Sequence, residues 1–221
     1  MTRDTHAPLF YPFEIGDLAM PSADARAIWF GAAPGMRPPG NLRAALDCVQ
    51  GFRPDYLSLQ RAGLRVSPTA SGESYDFALV LAGRHRGQNE AWLAEAIERT
   101  RPGGTVLCAG GKTDGVTSLR KRLTKDEVVA RHLAKNHGEV FWLERDSCAE
   151  AWAKLNSVYH TAGHLIASVV ENVYPQAVAI SGHQWPGEAR VEFDLQGDGA
   201  GLPTVDQVAV LVQTAIQSAS K

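Results

Sequence analysis

The stretch YDFALVLAGRHRGQNEAWLAEAIERTRPGGTVLCAGG, residues 75–111, reads as strand, helix and strand in direct succession. YDFALVLAG is a continuous apolar run of strand length, the pattern of a strand covered on both faces. NEAWLAEAIERTR has a helical period, with Trp92, Leu93, Ala96 and Ile97 on one side. Pro102, Gly103 and Gly104 break it, and TVLCAGG supplies the next strand. A helix that joins two strands is the crossover unit of a parallel sheet, so an α/β architecture is expected.

Working outward, RAIWFGAAPG predicts a strand at residues 26–30 that runs into a turn at 31–35. NLRAALDCVQGF is a short helical or strand segment, and RPDYLSLQRAGLRV is a helix that ends at Gly63, a residue type that closes helices because it accepts a left-handed backbone. DGVTSLRKRLTKDEVVARHLAK reads as helix with a break near Thr124, and GEVFWLER as a short strand carrying Phe141 and Trp142. After Asp146 the character changes. SCAEAWAKLNSVYHTAGHLIASVVENVY is a long helical pattern, residues 190–195 form one alternating strand, GDGAG is a loop, and the chain ends in a helix for which Thr204 and Gln207 make a capping box. The expected organisation is residues 1–146 as one α/β domain and residues 147–221 as a smaller, helix-rich α+β segment.

At 221 residues and 44% hydrophobic content the chain has enough apolar surface for a substantial core. Its 22 basic and 24 acidic residues give a formal charge of -2, which excludes polyanion binding by bulk charge and requires any nucleic-acid surface to be local. Cys48, Cys108 and Cys148 show no CxxC spacing, against both a disulfide framework and a structural zinc site, so a reducing cytoplasm is the natural location. MTRDTHAPLFYPFEIGD has no signal-peptide core and no apolar run is long enough to cross a bilayer, so no membrane partner is expected.

A glycine-bearing turn after the first strand is where doubly wound sheets bind nucleotides, because glycine lets backbone approach the ligand and the following helix offers free N–H groups. The candidates here are Gly31, Pro34 and Gly35 in FGAAPG. The spacing is GxxxG rather than GxG, Pro34 removes a donor, and MRPPG follows where a helix would begin. The acidic residue that closes the next strand in such sites has Gln50 at its place, with Asp47 somewhat early. A retained fold with an eroded cofactor pocket and a working pocket are the two readings.

The segment quoted first, continued through KTDGVTSLRKRL and followed by KNHGEVFWLER, resembles the N-terminal half of bacterial class I S-adenosylmethionine-dependent methyltransferases that modify guanine N2 in 16S ribosomal RNA. The resemblance covers roughly residues 8–146, and AGGKTDGVTSLRKRL, residues 109–123, is its most specific part. It implies a degenerate Rossmann-like methyltransferase fold, S-adenosylmethionine as the cofactor of that fold, and RNA as partner. In that family the catalytic Asn-Pro-Pro-aromatic motif lies in the C-terminal half, and this sequence contains no Asn-Pro-Pro.

Charge patterning agrees with an RNA context. Lys112, Arg120, Lys121, Arg122, Lys125, Arg131 and Lys135 stand against only Asp114, Asp126 and Glu127. Cations gathered on one helical segment neutralise phosphates, and Lys112, Arg120, Lys121, Arg122 and Lys125 are the RNA-binding candidates; a solvated helix face is the alternative. Arg84 and Arg86, just past a strand's carboxyl end, are secondary candidates.

His160 and His164 lie four residues apart, opposite the apolar side of their helix, where two imidazoles can share one metal ion; a solvated histidine pair is the alternative. Thr161 replaces the general-base glutamate of HExxH, and His183, Glu171 or Glu188 are the further ligand options. HTAGHLIASVVENVYPQAVAISGHQWPGEARVEF is similar to the start of the alanyl-tRNA editing domain, a match over about residues 159–217. That resemblance implies zinc bound through HxxxH and a later CxxxH, and hydrolysis of wrongly charged tRNA; no cysteine follows Cys148. Three functions follow as expectations: a methyltransferase-family protein acting on or binding RNA without the catalytic half, a zinc-dependent aminoacyl-tRNA hydrolase, and a noncatalytic RNA-binding or assembly module.

Overall fold

The computed structural model describes residues 8–128, 130–185, 188–196 and 203–219, without the side chains at 44, 183–185, 188, 189 and 219. The chain divides into two compact units, Met1–Lys154 and Leu155–Lys221.

The first unit is built on seven strands: β1 (Ala27–Phe30), β2 (Leu46–Val49), β3 (Arg65–Ser67), β4 (Tyr75–Leu81), β5 (Thr100–Gly111), β6 (Arg131–Lys135) and β7 (Gly138–Glu144). They form one sheet of order β3-β2-β1-β4-β5-β7-β6. The first five strands in that order run parallel; β7 is antiparallel to β5, and β6, antiparallel to β7, runs with the rest. The order is the doubly wound 3-2-1-4-5 arrangement with an antiparallel strand inserted before the last position. Helices α1 (Tyr11–Glu14), α2 (Gly40–Ala45), α3 (Arg53–Arg61), α4 (Arg86–Arg99) and α5 (Val116–Lys125) connect the strands.

Each central strand is apolar on both sides because both sides are covered. Ile28, Phe30, Ala78, Val80, Val106, Cys108 and Phe141 join Leu93, Ile97, Leu119 and Leu123 of α4 and α5 in one cluster. Their alternate neighbours Trp29, Leu79, Leu81, Leu107 and Val140 join Leu9, Phe10, Phe13, Leu42 and Leu59 in the other. The Phe10 ring stands edge-on to Trp29 at 5.5 Å and Phe13 to Phe77 at 5.8 Å, so the segment before β1 roofs one face of the sheet. Cys48 and Cys108 are free thiols buried in these layers, whereas Cys148 is exposed.

Three expectations change. The Pro-Gly-Gly break lies inside β5: pairing jumps from Tyr75↔Thr100 to Phe77↔Thr105, and the excess residues bulge out with Gly103 at φ 73°. The helix expected through Lys135 stops at Lys125, and Arg131–Lys135 is strand β6. It pairs with β7 across a two-residue turn, Asn136 and His137 at φ 54° and 60°, the left-handed pair that a tight hairpin requires. Finally, α6 (Ser147–Val173) belongs to the first unit in its opening turns, where Ala149, Trp152 and Ala153 pack into the cluster beneath α4 and α5.

The second unit contains the rest of α6, an antiparallel hairpin of β8 (Ala177–Trp185) and β9 (Glu188–Leu195), and α7 (Val205–Ala219). Strand β8 was not expected, because its register shifts between Ala179 and Ser181 and its small and polar residues break the alternation that marks a strand. The capping box is present: Thr204 N–H donates to Gln207 Oε1 at 2.8 Å and Gln207 N–H to Thr204 Oγ1 at 3.3 Å. The GDGAG loop lies outside the described residues. Among the described residues no helix is long and apolar enough to cross a membrane.

Backbone closeness at Gly138 fixes how β7 enters the sheet. A Cβ there would stand 2.7 Å from the Gly110 carbonyl oxygen and 2.8 Å from Pro8 Cδ. Gly138→Ala is expected to cost about 2 kcal/mol in urea unfolding, while Gly40→Ala, which meets nothing within 4 Å, leaves stability unchanged or slightly raised.

Candidate functional site

Strand order reverses between β1 and β4, which puts the ligand crevice of such a sheet at the carboxyl ends of these strands. The turn leaving β1 contains two left-handed glycines, Gly31 at φ 67° and Gly35 at φ 90°. Gly31 N–H donates to Val49 O at 2.9 Å, which pins the turn to the end of β2. Ala32 and Ala33 are buried in the cluster with Leu9, Phe10 and Trp29. Pro34 offers no N–H, and α2 begins only at Gly40 and spans six residues. The free N–H groups of a long helix, which hold the ligand in nucleotide turns, are therefore not placed beside Gly31–Gly35.

Gln50 stands just past β2, where a ribose-binding acid would be. It is 3% exposed. Its amide nitrogen donates to Ala32 O at 2.7 Å and its amide oxygen accepts from Phe52 N–H at 2.8 Å. The side chain is thus a strut between the β1 turn and the start of α3. Asp47 accepts from Arg65 Nε at 2.7 Å and from the Tyr75 hydroxyl at 3.0 Å, at the other end of β2. That carboxylate and burial both raise the Tyr75 hydroxyl above its usual range, with burial the larger cause. Phe52, which the sequence reading passed over, lies half exposed beside Gln50; an aromatic at the junction of a strand and a helix was its only signal.

The neighbouring loops are tied by Asn89, 3% exposed in the first turn of α4. Its side chain accepts from Gly83 N–H at 2.8 Å and donates to the carbonyls of Gly83 at 2.7 Å and Asp114 at 3.0 Å. Asp114 accepts from Gly111 N–H at 2.8 Å. Arg84 and Arg86 stand exposed after β4, Arg86 reaching Glu90 at 3.8 Å, and Lys112 stands exposed after β5. Because β4 and β5 are neighbours, these cations rim one end of the sheet.

The five cationic candidates divide in two. Lys112, Lys121 and Lys125 are exposed. Arg120 pairs with Glu139 of β7, and Arg122 pairs with Glu90 of α4, itself 5% exposed. These two arginines hold α5 against its neighbours, so their charge is neutralised within the protein.

In α6, Nε2 of His160 and Nε2 of His164 are 3.1 Å apart. Burial, then the neighbouring His164, pulls the His160 imidazole below its usual range. Among the described residues no third histidine, cysteine or carboxylate completes a metal-binding group. Glu171 instead accepts from Ala179 N–H at 2.7 Å, and the side chains of His183 and Glu188 lie outside the described residues.

The seven-stranded order with its antiparallel β7 is that of a Rossmann-like methyltransferase fold. No protein-family model matches the sequence, and no curated protein does. Among solved structures, a T. thermophilus 16S rRNA N2 methyltransferase in complex with AdoMet and guanosine matches at TM-score 0.50 and 19% identity, over 96% of this chain and 52% of that one. The chain thus spans about half the length of that protein. A ribosomal protein L11 methylase from Lactobacillus delbrueckii subsp. bulgaricus overlaps at 0.48 and 9% identity, over 62% of this chain and 77% of the other. A TehB-like S-adenosylmethionine-dependent methyltransferase from Corynebacterium glutamicum overlaps at 0.45 and 13%, over 60% and 86%.

The strut role of Gln50 is testable by itself. Gln50→Ala leaves the Ala32 carbonyl and the Phe52 N–H without these partners and is expected to cost about 2 kcal/mol in thermal unfolding, far more than an exposed substitution such as Lys125→Ala.

Proposed function

We propose that this chain is an RNA-binding protein on a class I methyltransferase fold that works on guanine-bearing ribosomal-type RNA without carrying out methyl transfer with its own residues. The observation that carries the reading is the cationic rim of Arg84, Arg86 and Lys112 at the ligand end of a methyltransferase sheet, with Lys121 and Lys125 exposed along α5. The T. thermophilus relative acts on 16S rRNA, which supports the same class of partner.

S-adenosylmethionine is the cofactor that the fold implies at the β1 turn, and it supplies a transferable methyl group where it binds. Gly31 and Gly35 allow a close backbone approach, but the position of the ribose carboxylate belongs to an amide already bonded at both its polar atoms. Weak cofactor binding is the consequence. With no Asn-Pro-Pro among these residues, we assign them RNA binding rather than methyl transfer.

The test is fluorescence anisotropy with ribosomal RNA fragments across a salt series. Lys112→Ala/Lys121→Ala/Lys125→Ala is expected to reduce the slope of log affinity against log salt by about 2, at roughly 0.7 per single-strand phosphate contact. An unchanged slope would sink the reading. In calorimetry S-adenosylmethionine is expected to give no saturation below about 1 mM, and micromolar binding would overturn the eroded-pocket part.

A second reading rests on the imidazole pair. Nitrogens 3.1 Å apart both reach one ion at zinc–nitrogen distances of about 2.0–2.1 Å, so His160 and His164 would hold zinc, which lowers the pKa of bound water for hydrolysis. Two ligands do not make a closed site. Zinc retained through dialysis and lost in His164→Ala, together with deacylation of mischarged tRNA, is the expected result; a metal-free, inactive protein after zinc addition ends this reading.

A further inference from the structure

The arginines of the β3 edge were absorbed by neither reading. Between Met36 and Val66 the sequence has five arginines (Arg37, Arg43, Arg53, Arg61, Arg65), no lysine, and only Asp47 and Asp55 as acids. All five arginines are exposed. Two of them line a cavity of about 260 Å³ together with Gly40, Leu46, Gly63 and Leu64. The cavity lies where β2 and β3 begin, at the opposite end of the sheet from the β1 turn, since Leu46 and Arg65 are the first residues of their strands.

Both guanidinium groups are steered by the fold. Arg43 donates through Nη2 to Ala62 O, the carbonyl at the end of α3. Arg65 donates through Nε to Asp47 Oδ1 at 2.7 Å, with its side chain 63% exposed. Among the described residues Nε and Nη1 of Arg43 and both terminal nitrogens of Arg65 make no other bond. Asp47 neutralises one of the two charges and is itself held by Tyr75, which leaves a net positive pocket. Leu46 and Leu64, 1% and 8% exposed, give it an apolar floor. Glycines at 40 and 63 keep the wall open: a Cβ at either would meet nothing within 4 Å.

Forked donors held in place over an apolar floor match the planar, multidentate recognition of a phosphoryl group, for which arginine is better suited than lysine. The volume lies below the range of about 300–1,000 Å³ that encloses a whole drug-sized ligand, so it suits one phosphate with its sugar. We propose that Arg43 and Arg65 form a phosphate-binding pocket for the backbone of the RNA strand, a second anchor remote from the cationic rim. This deepens the RNA-binding reading and rests on it. At about 3.3 Å per residue, the four-residue β2 alone sets pocket and crevice at least about 10 Å apart, three or more stacked nucleotide steps at about 3.4 Å each.

The test titrates short single-stranded RNA, adenosine monophosphate and inorganic phosphate against wild type, Arg43→Gln/Arg65→Gln, Gly40→Leu, and Lys112→Ala/Lys121→Ala/Lys125→Ala, each confirmed as folded by circular dichroism. Gly40→Leu fills the cavity while leaving both arginines in place. The expected result is a loss of RNA affinity of about tenfold in the arginine variant and in Gly40→Leu, with a salt slope smaller by about 1 to 1.5 in the arginine variant. RNA affinity that is unchanged in both, while the lysine variant weakens, overturns the pocket and leaves the RNA reading standing. Wild type that binds the monophosphate or phosphate through these arginines but no RNA overturns the strand as source and the RNA reading together, and keeps a small-molecule phosphoryl site. Wild type that binds none of the three probes overturns both.

Discussion

Two-sided burial of β1, β4 and β5 is the constraint from which the other features follow. Ile28, Trp29, Phe30, Leu79, Val80, Val106 and Leu107 are all at 0–1% exposure, and they alternate between two separate apolar layers. At roughly 1.5–3 kcal/mol for each large side chain fully buried, a polar substitution in these strands would remove a large fraction of the stability of a domain. Chemistry is thereby confined to strand ends and connecting loops. Sheet edges are the other permitted place, and β3 and β6 accordingly carry arginine and lysine, which also discourages pairing with another chain.

Residues 109–123 acquire a physical meaning from their contacts. A Cβ on Gly110 would stand 2.7 Å from Val116 and 3.2 Å from Ala82. Asp114 closes the loop onto Gly111, Asn89 braces it from α4, and Arg120 and Arg122 seat the helix on Glu139 and Glu90. Truncating one partner of such a shielded ion pair is costly because the other charge is stranded. The stretch therefore specifies the docking of a helix, and a distinctive sequence pattern need not mark a ligand.

Long apolar runs made β1, β4, β5 and β7 legible, since a strand covered on both faces has a composition that no amphipathic helix shares. Edge elements were harder to see. The alternation of β6 was masked by basic residues that continue from α5, and β8 has a register shift that an alternation test cannot follow. The turn after β1 was legible as a turn, but the two hydrogen bonds of Gln50, to Ala32 and Phe52, are a tertiary fact without any residue-type signature. The same holds for the cations. Charge counting cannot separate Lys121, turned to water, from its neighbours Arg120 and Arg122, whose carboxylate partners lie 19 and 32 positions away.

The distribution of sulfur has an experimental consequence. A thiol reacts as its thiolate, and burial pushes both Cys48 and Cys108 far above the usual range, whereas Cys148 sits in the open. One label therefore attaches at once, and the other two attach only when the layers separate, Cys48 reporting on the second strand and Cys108 on the carboxyl-terminal part of the fifth. The protein thus contains its own stopwatch for opening, with one hand near the margin of the sheet and one at its centre.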